Sequence, residues 1–226
     1  ALTLSQPFWL KVPSRFRLDK RSLFAIHGSL FRGVLPDDWV GVPRTTNIVK
    51  PEPVLGGRSV SYADHRQIQM QLDYDFGEEA SRRRRPPLTE GQLPSLARFV
   101  ANVWQTHPFR EGNTRASAVF LELYLRSLGV EVDNSPFESH SYFRDALVRA
   151  SFSSIELGVD EDLSFLVRFL GNVALGQDNA LEPGEMDVHG IRVDPGVEYR
   201  GGNPPLSQAD RSPAPPRAER ESRAAR

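Results

Sequence analysis

The 226-residue chain contains no cysteine. That excludes disulfides, cysteine nucleophiles and thiolate zinc sites. Lysine is scarce too: Lys11, Lys20 and Lys50 are the only lysines among 28 basic residues, so the positive charge is almost all arginine. Neither sign of charge dominates, because 29 acidic residues leave a net charge of −1. Nucleic-acid binders usually carry a basic excess, so the balance argues against nucleic acid as a general partner. No apolar run approaches the ~20 residues of a membrane helix, and no membrane partner is expected. The first ten residues lack a basic stretch followed by an apolar one, the mark of a secretory signal. A cytoplasmic location follows as the expectation, with delivery to another cell if the chain acts as an effector. The chain does not open on Met, which leaves room for an upstream segment.

What is present is unevenly spread. After residue 175 there are seven prolines (Pro183, Pro195, Pro204, Pro205, Pro213, Pro215, Pro216) and few large apolar residues. This composition predicts a disordered Pro/Arg-rich tail over 176–226. Residues 1–21 read as an N-terminal extension, and 22–175 as one domain large enough for a sizeable core.

Within that domain, Leu93, Leu96, Phe99, Val100, Val103 and Trp104 recur at three- and four-residue spacing, which predicts an amphipathic helix. Thr89 with Gln92 suits a capping box before it, and Pro94 fits only its first turn. A second helix is predicted over 114–128, apolar around most of its circumference and so central to the core. Further helices are expected over 22–32, 63–77, 141–150 and 163–175. Residues 52–62 read instead as two short extended runs around Gly56-Gly57, a predicted β-hairpin. Residues 82–85, four consecutive arginines, read as a solvated connection. The fold class is therefore mainly α, a helical domain with one small β-hairpin.

Between the two strongest helices lies His107-Pro-Phe-Arg-Glu-Gly-Asn-Thr-Arg115. Gly112 and Asn113 enter a helix N-terminus, where open backbone N–H groups favour phosphate. Arg115 in the first turn can pair with phosphate oxygens through its fork. Glu111 is an oxygen ligand beside them, suited to magnesium held jointly by a carboxylate and substrate phosphates. His107 is a base that titrates near working pH. The set points to phosphoryl or nucleotidyl transfer from a magnesium nucleotide.

HPFREGNTR resembles the signature of the Fic (filamentation induced by cyclic AMP) family, whose fuller pattern is H-x-F-x-[DE]-G-N-[GK]-R-x-x-R. IHGSLFRGVLPDDWVGVPRTTNIVK, residues 26–50, is similar to the family's I-H-x-x-L-F…W-A-G-x-x-R-T-x-N-I-x-K stretch. YFRDALVRA is similar to a downstream family segment. The resemblance covers about 23–175. It implies a Fic-type helical domain acting as a protein adenylyltransferase with ATP and Mg2+. It implies His107, Glu111, Asn113 and Arg115 as catalytic residues, and Gly112, Asn113, Thr114 and Arg115 as the nucleotide cradle. Glu111 would hold the metal and Phe109 would anchor the loop. The predicted hairpin, with Gly56, Gly57, Val60 and Ser61, falls where the family has its target-binding flap. The implied partner is a protein carrying a Ser, Thr or Tyr hydroxyl.

Two positions depart from the pattern. Thr114 stands where it has Gly or Lys, and Ala118 where it has the second Arg that normally holds the terminal phosphate. These departures keep open another nucleotide donor, or a catalytically degenerate module that binds nucleotide or a partner. Many family members carry an inhibitory helix [ST]-x-x-x-E-[GN]. Here only Ser127 precedes a Glu at that spacing, Glu131, and the stretch reads as a helix exit. An inhibitor, if there is one, is expected to be a separate protein or to lie outside this sequence.

Overall fold

The computed structural model describes residues 16–182 and 184–188. Six α-helices build it: α1 Lys20–Phe31, α2 Ile68–Ser81, α3 Leu93–Thr106, α4 Asn113–Ser127, α5 His140–Ala150 and α6 Ser164–Leu175. Among the described residues the only β pairing is one isolated bridge, Ser154 to Val159.

Helix α3 is the hub, packing against α2, α4, α5 and α6, while α1 lies on α4. The apolar stripe explains this: Leu96, Phe99, Val100, Val103 and Trp104 are all buried. Gln92 Oε1 accepts the Thr89 backbone N–H at 2.9 Å before α3, and Pro94 sits in its first turn. Asp19 caps α1, its carboxylate accepting from Ser22 N at 2.9 Å. Helix α4 buries Ala116, Ala118, Phe120, Leu121, Leu123, Tyr124 and Leu125, nearly its whole circumference.

Three expectations are corrected. The hairpin is absent: 52–62 contains a 3-10 turn, Pro53–Leu55, and otherwise irregular chain. Pro51 and Pro53 supply no N–H for a ladder. Val54 and Leu55 are neighbours yet both buried, unlike the in-out alternation of a hairpin with one face in solvent. Helix α2 begins at Ile68 rather than 63, because Asp64 turns its carboxylate onto Arg66 N at 2.9 Å and closes a turn first. Arg84 is not solvated. Its side chain is 2% exposed and paired with the buried carboxylate of Glu79. The same Glu79 accepts from the Tyr124 hydroxyl at 2.6 Å.

The first residues of the expected tail pack on the folded body instead. Met186 is 2% exposed, and Leu181 and Val188 lie against the core. Val188 N bonds Val54 O at 3.1 Å, and Arg168 pairs with Glu185 at 2.6 Å. Pro183 and residues 189–226, which hold the rest of the predicted tail, lie outside the described residues, as do residues 1–15 of the N-terminal extension.

Candidate active site

The nine-residue loop joins the end of α3 to the start of α4. His107 ends α3 in the left-handed region, φ 47 and ψ 59. This reverses the chain and leaves its side chain 3% exposed between Tyr62 and Trp104, with ring centroids 4.2 and 5.2 Å away. Its Nδ1 lies 3.2 Å from Trp104 O. A carbonyl only accepts, so Nδ1 carries the proton and Nε2 is left with a free lone pair. Burial, reinforced by Lys50 and Arg44, pushes the His107 pKa down to about 3. The ring is therefore neutral at working pH.

Asn113 does not face the cavity with its side chain. Its Oδ1 accepts from Phe109 N at 2.9 Å and its Nδ2 donates to Phe109 O at 2.8 Å. That clamp holds the loop closed, and Phe109 is buried beneath it. Gly112 precedes α4 with φ 80, and a Cβ there would overlap the Phe31 ring. Only glycine fits both demands. Because Gly112 offers no side-chain cap, the N–H groups of Asn113, Thr114 and Arg115 donate to nothing among the described residues. A 15-residue helix thus presents an open positive end.

Around that end lies a cavity of about 160 Å³. His107, Glu111, Gly112, Asn113, Thr114 and Arg115 line it, so the structure brings the predicted loop residues together. The Arg115 guanidinium rests 4.7 Å over the Phe31 ring and makes no ion pair among the described residues. Thr114 Oγ1 accepts from Trp104 Nε1 at 3.0 Å, which turns the hydroxyl toward α3 and leaves its own hydrogen to donate. Glu111 is half exposed, with Oε2 3.4 Å from Lys50 Nζ. No cluster of three metal-ligating side chains exists among the described residues. A single carboxylate still fits magnesium, which keeps several waters and takes phosphate oxygens as ligands. Ala118 is buried within α4 and brings no cation.

The flap residues separate. Gly56 and Gly57 form an exposed turn, Ser61 is exposed, but Val60 is 2% exposed in the core. Only its backbone can meet a partner.

Sequence reasoning missed four residues. Arg44, 2% exposed, donates to the carbonyls of Thr46, Ala63, Thr106 and His107, the last at 2.8 Å. His27, fully buried, accepts from Gly41 N through Nδ1 at 2.9 Å, so its Nε2–H donates to Glu111 O at 3.0 Å. It also stacks on Phe109 at 3.8 Å. Burial lowers its pKa and keeps it neutral. Both residues lie in the stretch over 26–50 that resembled the family, which was the available signal. Glu52 and Arg144 line the cavity from the irregular segment over 52–62 and from α5, with no sequence cue beyond their charge. Burial raises the Glu52 carboxyl, which accepts from the Tyr62 hydroxyl at 3.1 Å.

Residues 17–125 match the model of the Fic/DOC family. Those residues, just under half of the chain, carry its likeness to that family. Over 138 residues it is 33% identical to a probable protein adenylyltransferase, y4lH, of Sinorhizobium fredii, covering 60% of this chain and 66% of that relative. The fold is also that of the Fic domain of Bep8, a VirB-translocated effector of Bartonella sp. 1-1C. There the TM-score is 0.55 at 17% identity, over 72% of this chain and 76% of the other. BepC of Bartonella tribocorum, solved with AMPPNP, gives a TM-score of 0.51 at 21% identity, over 69% and 74%. The Fic loop described above is thus set in a Fic fold. Among the described residues no helix is long and apolar enough to cross a membrane.

Proposed function

We propose that the protein is a protein adenylyltransferase that moves AMP from Mg-ATP to a hydroxyl of a target protein. The observation that carries this reading is the neutral His107, with Nε2 free, beside the open N-terminus of α4. His107 Nε2 takes the proton of a target Ser, Thr or Tyr as its oxygen attacks the α-phosphorus. The bond to the bridging oxygen breaks and pyrophosphate leaves. Backbone N–H groups of Asn113, Thr114 and Arg115, with the Arg115 guanidinium, hold the phosphate charge. Such positioning and charge stabilisation is what phosphoryl-type transfers need. Glu111 would hold the magnesium, which neutralises phosphate charge when bound. The side chains of Asn113, Arg44 and His27 keep the loop in shape rather than touching the reacting atoms.

Incubation with α-labelled ATP and cell lysate should label protein, and mass spectrometry should find AMP on a hydroxyl side chain. His107→Ala should lower labelling by about 100-fold or more. Equal labelling by the variant and the parent protein would overturn the assignment. Ala118 favours one second reading, another nucleoside triphosphate as donor. A panel of four labelled nucleotides decides it, and a clear ATP preference removes it.

A further inference from the structure

A groove of about 790 Å³ lies beside the candidate site, running from Ser61 and Tyr62 along α2 to Asp75 and Asn102. It meets the site at Tyr62, whose ring packs on His107 and whose hydroxyl reaches Glu52. Along one wall, the backbone N–H groups of Ser61, Tyr62 and Ala63 donate to nothing among the described residues. Open amides along an irregular edge are what an extended peptide pairs with. Across from them Met70 and Tyr74 are 64% and 66% exposed, large apolar surface bordering the groove.

The charge of the groove is specific. Asp64 is already engaged by Arg66 and Asn47. Asp75 is not: it is 9% exposed and makes no ion pair among the described residues. Asn102 Nδ2 donates to its Oδ1 at 3.2 Å, and its Oδ2 accepts nothing. A buried carboxylate without a cation is costly, and such costs persist where function needs them. Asn102 stands five residues before His107 on α3, about 7–8 Å at ~1.5 Å per residue. An extended chain spans that in two or three residues at ~3.3 Å each.

We propose that Asp75 selects the target: an extended segment lying along the open amides over 61–63 carries a Lys or Arg, two or three residues from the modified hydroxyl, that pairs with Asp75. The inference rests on the adenylyltransferase reading and adds the class of target to it.

The test uses the full chain, α-labelled ATP and oriented peptide libraries with a fixed central Ser, Thr or Tyr. Lys and Arg should be enriched about 5-fold or more at one position two or three residues from the acceptor, the scale of a partly buried charge pair. Asp75→Asn should flatten that enrichment. The comparison is made between peptides within one protein sample, so any unfolded fraction cancels. Absence of basic enrichment in the parent protein, or its survival in Asp75→Asn, would overturn the proposal. Labelling of lysate proteins but of no library peptide would also overturn it. Labelling of neither would sink the adenylyltransferase reading itself.

Discussion

At the scale of single residues, Gly112 carries two demands that no other residue meets, a left-handed backbone and a bare Cα against Phe31. Gly112→Ala should cost about 2–4 kcal/mol, read as a lower thermal midpoint. Phe31→Leu in the same chain should recover only the packing part. His107 titrates in a direction that can be checked. Its folded pKa, about 3, lies below the ordinary 6.5. An unfolded chain therefore binds a proton that the folded one refuses. The stability it contributes is complete above pH 6.5 and is lost as pH falls toward 3. Thermal midpoints measured across that window should fall less steeply for His107→Gln. Asp75 behaves oppositely, since burial raises its carboxyl from 3.8 to about 6. Its charge is a penalty above that value, relieved as pH drops. Asp75→Asn should thus stabilise the protein at pH 8, by about 1–3 kcal/mol in chemical unfolding.

At the scale of elements, what was legible followed periodicity. Helices α3 and α4 were readable because one has a sharp apolar stripe and the other is apolar nearly all round. The loop between them was readable because Gly, Asn and Arg at a helix start have few other uses together. The region over 52–62 was not, since the Gly-Gly pair suggested a hairpin while the flanking prolines forbade its ladder. Buried polar groups were least legible. Four arginines in a row look solvated, yet Arg84 turns inward to Glu79 and also donates to Ser95 Oγ at 2.9 Å and Gln92 O at 3.2 Å. Nothing local announces partners 5 to 11 residues away. That cluster ties the end of α2 to α3 and α4. Arg84→Met should cost about 3–5 kcal/mol, because Glu79 is left charged and buried. Glu79→Gln in the same chain should recover part of the loss, and urea unfolding of the three variants measures both.

At the scale of the whole molecule, the chain beyond α6 belongs to the folded body as far as the described residues reach. Met186, Leu181 and the Arg168–Glu185 pair close over α6 and the segment near Val54. Met186→Ala should cost about 2 kcal/mol or more, and shortening the chain to residue 175 should lower the thermal midpoint further. The Arg44 guanidinium reaches across the molecule too, from residue 44 to carbonyls on both sides of the loop's first residue. The consequence concerns portability. The nine residues over 107–115 are held from outside by Arg44 and His27, so grafting them alone between two helices of another scaffold would transplant the letters and leave the shape behind. A transferable unit includes at least residues 27, 31, 44 and 104 with the loop, and a search for kindred sites gains discrimination by demanding all of them.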